Sequence, residues 1–305
     1  MKKNNPVAGI TWFIIHCFMF AVISVVTKIL IKDGINIFEI VFFQTLIGAL
    51  ILLPIVLLRH IESIKVISYR SHLPRAIAWA LATVLFFNAA SVISMGRAIA
   101  ISFVVPLFTA ILAVIFLNEK LQSRRIIALI CGFIGMLIII RPRYDSFEIE
   151  AYMVVLAAFL WSTTDVMIKI SAKTHHVFVN TFYFALFSAI CTLPIALFVW
   201  KTPNYNEILW LVLLAALFVI NIVCITKSYE YADLTIIMPF VFTELIFVAV
   251  LAYIIFGEVI DLPTATGSAI IIISTTYMAY KERSKNHRTI EDQLAFKLAS
   301  ELGEK

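Results

Sequence analysis

Residues 38–54 read FEIVFFQTLIGALILLP, and residues 178–194 read FVNTFYFALFSAICTLP. Phe38, Phe42, Leu46, Ala49, Leu53 and Pro54 return as Phe178, Phe182, Leu186, Ala189, Leu193 and Pro194, 140 positions on and without a gap. The first five stand four, four, three and four residues apart, the spacing of one helix face. A chain that writes the same face twice is built from a repeated unit.

Composition says where such faces lie. Of the 305 residues 62% are hydrophobic and 14% charged, with a mean hydropathy of +1.00. A soluble domain carries roughly 45–50% apolar and about 25% charged residues, so water is not the main solvent of this surface. Apolar runs of about 20 residues, the length that crosses a hydrocarbon core of about 30 Å, follow one another with short polar punctuation. Barrel strands would alternate polar and apolar residues, and these runs do not. The expected fold is an all-α membrane protein of ten transmembrane helices, near 7–28, 37–58, 75–95, 98–117, 125–141, 151–170, 178–199, 207–226, 234–256 and 264–280.

Five spans separate each helix from its echo, so the second copy enters the bilayer from the opposite side. The reading is therefore two inverted five-helix repeats, 7–141 and 151–280, with a polar tail over 281–305. SVVTK at 24–28 is echoed by DVMIK at 165–169, and AVIFLNE ending at Glu119 by AYIIFGE ending at Glu258. Alternate loops put Lys2, Lys3, Arg59, Lys65, Arg70, Arg75, Lys120, Arg124, Arg125 and Lys281 on one side, against Lys32, Arg97, Arg141, Arg143 and Lys201 on the other. Basic loops stay in the cytoplasm, which places both termini there. Inverted repeats are characteristic of secondary transporters, whose halves rock about a site between them. In the tail, Thr289 and Asp292 resemble a capping box, and Leu294, Leu298 and Leu302 share a face, so the polar tail is either a short surface helix or a disordered cytoplasmic segment.

The net charge of +5 sits in loops beside lipid headgroups and gives no reason to invoke nucleic acid. The stretch Val7–Val26 lacks a small-x-small cleavage site and reads as a span rather than a secretion signal. Cys17, Cys131, Cys191 and Cys224 lie singly within apolar runs, without metal or redox spacing. There is no HExxH, no GxSxG elbow and no phosphate-binding loop, so the sequence predicts neither an enzyme nor a metal or cofactor site. A channel would need a charged or carbonyl-lined filter, and none is evident.

The stretch VVPLFTAILAVIFLNEKLQSRRIIALICGFIGMLII resembles the end of an EamA domain of the drug/metabolite transporter superfamily, with Asn118-Glu119 and Gly257-Glu258 at the family's Gly-Glu position and Gly132, Gly135 and Gly267 among its small residues. The resemblance implies ten helices in two inverted halves and a small-molecule carrier. FEIVFFQTLIGALILLP, VPLFTAILAVIFLNE, LAAFLWSTTDVMIKI and the FTEL containing Glu244 are similar, more narrowly, to the S-adenosylmethionine uptake transporters of obligate intracellular bacteria. The connection around Met95 to Ala98 is shorter here than in those transporters. That match implies S-adenosylmethionine as substrate and a bacterial inner membrane as location, with export of amino acids or other metabolites as the alternative within the superfamily.

Ionisable groups inside the bilayer cost about 2.5–3.5 kcal/mol each on insertion scales, so each needs a reason. Glu244 lies midway along the ninth span, five residues beyond Pro239, which removes a backbone donor and opens the helix. It is expected to meet a proton or a cationic substrate. Asp165 and Lys169 stand four apart on the sixth span, either as an internal pair or as a site in which Lys169 meets a carboxylate. Gln44, Asn88 and Asn221 bridge helices or touch substrate. Trp79, Phe86, Phe87 and Trp161 offer faces for a purine or a sulfonium, or simply pack. Pro54, Pro106, Pro194 and Pro239 are candidate breaks or hinges, Pro239 first among them, and Glu119 and Glu258 candidate gating or structural residues at helix ends.

Overall fold

The computed structural model describes residues 5–59, 69–93, 95–140, 149–174, 176–257 and 262–281. Glu258 and the tail beyond Lys281 lie outside these. Among the described residues all regular structure is helical: α1 (Pro6–Lys32), α2 (Ile37–Arg59), α3 (Tyr69–Val92), α4 (Met95–Ser102), α5 (Val105–Leu117), α6 (Ser123–Ile140), α7 (Ile149–Thr174), α8 (Val177–Phe198), α9 (Tyr205–Tyr231), α10 (Leu234–Ile237), a 3-10 turn over Met238–Phe242, α11 (Thr243–Phe256) and α12 (262–281). Seven helical stretches are long and apolar enough to cross a membrane, and Val105–Leu117 is a shorter apolar helix. With α4 and α5 taken as one interrupted rod, and α10, the 3-10 turn and α11 as another, the described helices make ten rods.

The repeat written in α2 and α8 returns as packing. From residue 38 to 58 and from 178 to 198 the two helices are buried, half-buried or exposed in the same order at every position. Ala49 and Ala189 face the core, while Leu53 and Leu193 face out. Both prolines, Pro54 and Pro194, sit inside continuous helices. Packing partners follow the same rule: α1 lies along α9 as α3 lies along α7, α2 meets α9 as α3 meets α8, and α2 packs on α8. Exchanging the two halves leaves this set of pairings unchanged.

The other two prolines mark real breaks. α5 opens on Val105-Pro106 after Ser102 ends α4, and Pro239 lies in the 3-10 turn that separates α10 from α11. Missing amide protons and tightened turns are what proline and 3-10 geometry produce in a helix. Phe103, at the first break, stacks on Phe242, at the second, with ring centroids 5.9 Å apart, so the interrupted rods meet where each loses its regularity. Each second piece then ends in a left-handed residue, Asn118 at φ 54° and Gly257 at φ 68°. Glycine and asparagine are the residues that tolerate this cap.

Glu119 follows the first of these caps, and its carboxylate accepts the amides of Leu234 and Thr235 at 2.9 Å each. It thereby satisfies donors at the start of the second interrupted rod, where a negative charge is favoured. Arg125 supports the same corner by donating to the Thr235 hydroxyl and the Lys120 carbonyl.

α6 and α12 touch backbone to backbone. A Cβ on Gly267 would lie 2.5 Å from the Gly135 carbonyl oxygen, and one on Gly135 2.8 Å from that of Gly267. Close approach through small residues is a common way of joining membrane helices. Gly267→Leu is expected to lower the thermal unfolding midpoint of the detergent-purified protein, with an overpacking cost of about 1–3 kcal/mol. An unchanged melting profile would mean that these two rods are not pressed together.

Candidate functional site

Two carboxylates inside the bundle lie beside the two breaks, one at each. On the first, Asp165 of α7 accepts the Tyr229 hydroxyl at 2.9 Å on one carboxylate oxygen and the Thr109 hydroxyl at 3.0 Å on the other. Tyr229 comes from α9 and Thr109 from the first turns of α5 beyond Pro106. Ser162, one turn before Asp165, donates to the Val105 carbonyl at the start of α5. The carboxylate is thus fixed by two neutral hydroxyls and forms no ion pair with a basic side chain, the Arg75 guanidinium acting on it only from a greater distance.

At the second break Glu244, in the first turn of α11, lies 3.7 Å from His16 Nε2 of α1. His16 is buried and held from behind: its Nδ1 lies 3.4 Å from the Asn221 carbonyl, and the Asn221 amide donates to the His16 carbonyl at 3.0 Å. The neighbouring thiol of Cys17 reaches the Phe240 carbonyl in the 3-10 turn at 3.7 Å. Phe13 rests on the His16 ring and on Tyr229, with centroids 5.3 and 6.3 Å apart, which connects the two carboxylate environments through packed rings.

Of the residues singled out in the sequence, Asp165 and Glu244 lie beside the breaks, and Asn221 serves as a bridge between α1 and α9. Lys169 and Asp165 do not pair: the Lys169 ammonium donates to the Ala232 carbonyl at the C-terminal cap of α9. Phe86, Phe87 and Trp161 form one aromatic group, with centroids 5.2 Å apart for Phe86–Phe87 and 5.3 Å for Phe86–Trp161. Trp79 stands apart from it, edge-on to Phe184 at 5.5 Å. Gln44 is buried on α2, whereas Asn88 is exposed and its amide bonds the Val84 carbonyl of its own helix. Pro106 and Pro239 stand at the breaks.

Four polar groups were missed. His16, Thr109 and Tyr229 sit in apolar runs where they look like ordinary span residues, although a histidine inside a span is itself a signal. Arg75 was counted among loop arginines, yet it is fully buried in α3, its guanidinium donating to Asn180 Oδ1 at 2.9 Å and lying 4.0 Å over the Phe184 ring.

An interrupted-helix bundle carrying half-buried carboxylates beside its breaks defines a polytopic membrane protein of the transporter type. The EamA-like transporter family matches residues 7–141 and again 149–280, and the chain belongs to that family. It is 30% identical to the S-adenosylmethionine uptake transporter of Rickettsia felis over 93% of this chain and 97% of that one. The riboflavin transporter of Vibrio cholerae is 27% identical over 94% and 97%, and the pseudopaline exporter of Pseudomonas aeruginosa 23% identical over 88% and 94%. A solved crystal structure shares the fold with a TM-score of 0.76 at 14% identity, covering 92% of this chain and 99% of the other.

Proposed function

We propose that this protein is a secondary carrier that takes up S-adenosylmethionine across a bacterial inner membrane by alternating access. In this reading the two halves thread the bilayer with opposite polarity, both termini lie in the cytoplasm, and the halves rock about the crossing of the interrupted rods. The observation that carries it is the placement of Asp165 and Glu244, both from the second half, beside the two breaks, of which one lies in each half. Identical burial along α2 and α8, pairings that survive exchange of the halves, and the names of the Rickettsia relatives support it.

S-adenosylmethionine suits such a site chemically. Its sulfonium and ammonium are cations for Asp165 and Glu244, and its adenine is a flat face for the group formed by Trp161, Phe86 and Phe87. Pro106 and Pro239 supply the flexible points of the rocking motion, and Glu119 ties the halves at one end. No ATP-binding loop is evident, so gradients or exchange drive the cycle.

Purified protein in liposomes preloaded with unlabelled S-adenosylmethionine should accumulate the labelled compound transiently and saturably. Flux that does not saturate would indicate a pore. Saturable counterflow of an amino acid, without competition by S-adenosylmethionine, would replace this substrate with another of the superfamily. Membrane-impermeant labelling of single cysteines placed in the α2–α3 and α8–α9 connections should give opposite sidedness.

A further inference from the structure

We infer that Arg75, with Asn180 and Phe184, is the subsite that receives the carboxylate of the transported molecule, an inference that rests on the carrier reading above. Arg75 is wholly buried, and among the described residues no carboxylate lies within ion-pair distance of it. One terminal nitrogen is used by Asn180, a neutral partner, at 2.9 Å. Nε and Nη2 have no hydrogen-bond partner, and neither has the Asn180 amide nitrogen.

Three unmet donors therefore cluster in the interior. Nε and Nη2 form one edge of the guanidinium, the fork that matches the two oxygens of a carboxylate. A buried guanidinium left in this state is costly, and the group that relieves it is an anion. The Phe184 ring holds the plane of the fork from one side at 4.0 Å. That ring belongs to this half alone, because the repeat places Gln44 at the same position of α2.

The rest of the site fits a zwitterion. α3, which bears Arg75, packs along α7, which bears Asp165. Asp165 and Arg75 attract each other electrostatically without forming an ion pair, so they face the same region of the bundle. A molecule with its carboxylate on Arg75 and its cationic group towards Asp165 would neutralise both at once. Lys169, the other basic residue considered for a carboxylate, is bound to the Ala232 carbonyl.

Trp79 lies one turn beyond Arg75 and touches Phe184, so its fluorescence reports on this corner. The test titrates the detergent-purified protein with pairs of ligands that differ only in the carboxylate: S-adenosylmethionine with its decarboxylated form, and amino acids with their corresponding amines. Trp79→Phe identifies the reporting signal. Wild type should prefer the carboxylated member by at least about tenfold, a gap typical of a charge-assisted bidentate contact.

Arg75→Gln should erase that preference and leave affinity for the decarboxylated member unchanged. Because Arg75→Gln alters a buried position, Asn180→Asp is the second variant. Its carboxylate pairs with Arg75 internally, so the preference should vanish while the melting temperature holds or rises. Equal affinities within every pair in wild type, a preference that survives in both variants, or no saturable binding by any pair would overturn the inference. Amino-acid pairs that show the preference and lose it in the variants, alongside no binding of S-adenosylmethionine, would sustain the subsite and remove the substrate proposed above.

Discussion

Asp165→Asn is expected to cut S-adenosylmethionine counterflow at low substrate by at least about thirtyfold while the protein still purifies and melts as a folded species. The reason lies in how Asp165 is held. Its two oxygens accept hydroxyls from Tyr229 and Thr109, on two different helices, and no basic side chain makes an ion pair with it, Arg75 acting only from a greater distance. Asparagine keeps the shape but has one acceptor oxygen and an amide that donates, so one hydroxyl must turn away. It also removes the charge that a sulfonium or ammonium would meet. Truncating one member of a desolvated charge pair costs about 2 kcal/mol or more, which at about 1.4 kcal/mol per decade is the factor quoted. Tyr229→Phe and Thr109→Val remove a donor and keep the charge; each should cost about 1 kcal/mol, or about fivefold. Initial rates in proteoliposomes decide the order of the three, and a wild-type rate for Asp165→Asn removes the residue from the site.

How far the sequence leads depends on the range of the interaction. The helix face of Phe42, Leu46 and Ala49 and its echo are legible because spacing along one helix is a local property, and burial in α2 and α8 follows it position by position. Proline acts on its own turn, which makes the breaks at Pro106 and Pro239 legible, but Pro54 and Pro194 carry the same signal and lie inside continuous helices. The partners of the charges are another matter. Thr109 and Tyr229 reach Asp165 from 56 and 64 residues away, and Lys169 reaches Ala232 across 63, so the tempting four-residue pairing of Asp165 with Lys169 yields to contacts set by packing. Arg75 was hidden by its neighbours. Pro74 and the basic residues before it read as loop, yet α3 begins at Tyr69 and carries Pro74 inside, which moves Arg75 into the interior. Asn88 is exposed, and its amide bonds the Val84 carbonyl of its own helix, a local contact that the span pattern does not distinguish from a bridge.

Glu244→Gln is expected to lower S-adenosylmethionine counterflow by at least about tenfold, because a neutral amide no longer offers a charge to the cationic substrate while it can keep the contact with the neighbouring ring. That neighbour is His16, at 3.7 Å from the carboxylate and fixed by Asn221 on its far side. The pair spans α1 and α11, and it lies beside the 3-10 turn at which the second interrupted rod bends. A carboxylate there serves the cationic substrate and, through His16, ties α1 to the moving piece. Two roles in one group predict non-additivity. His16→Gln alone should cost about threefold, and His16→Gln with Glu244→Gln should be no slower than Glu244→Gln, giving a coupling on the order of 0.5–1 kcal/mol, within the range found for residues in contact. Strict additivity in the double variant would mean that His16 acts elsewhere. A wild-type rate for Glu244→Gln would leave a half-buried carboxyl at the centre of the bundle with only a packing role, and Asp165 would then be the sole anionic contact for the cation.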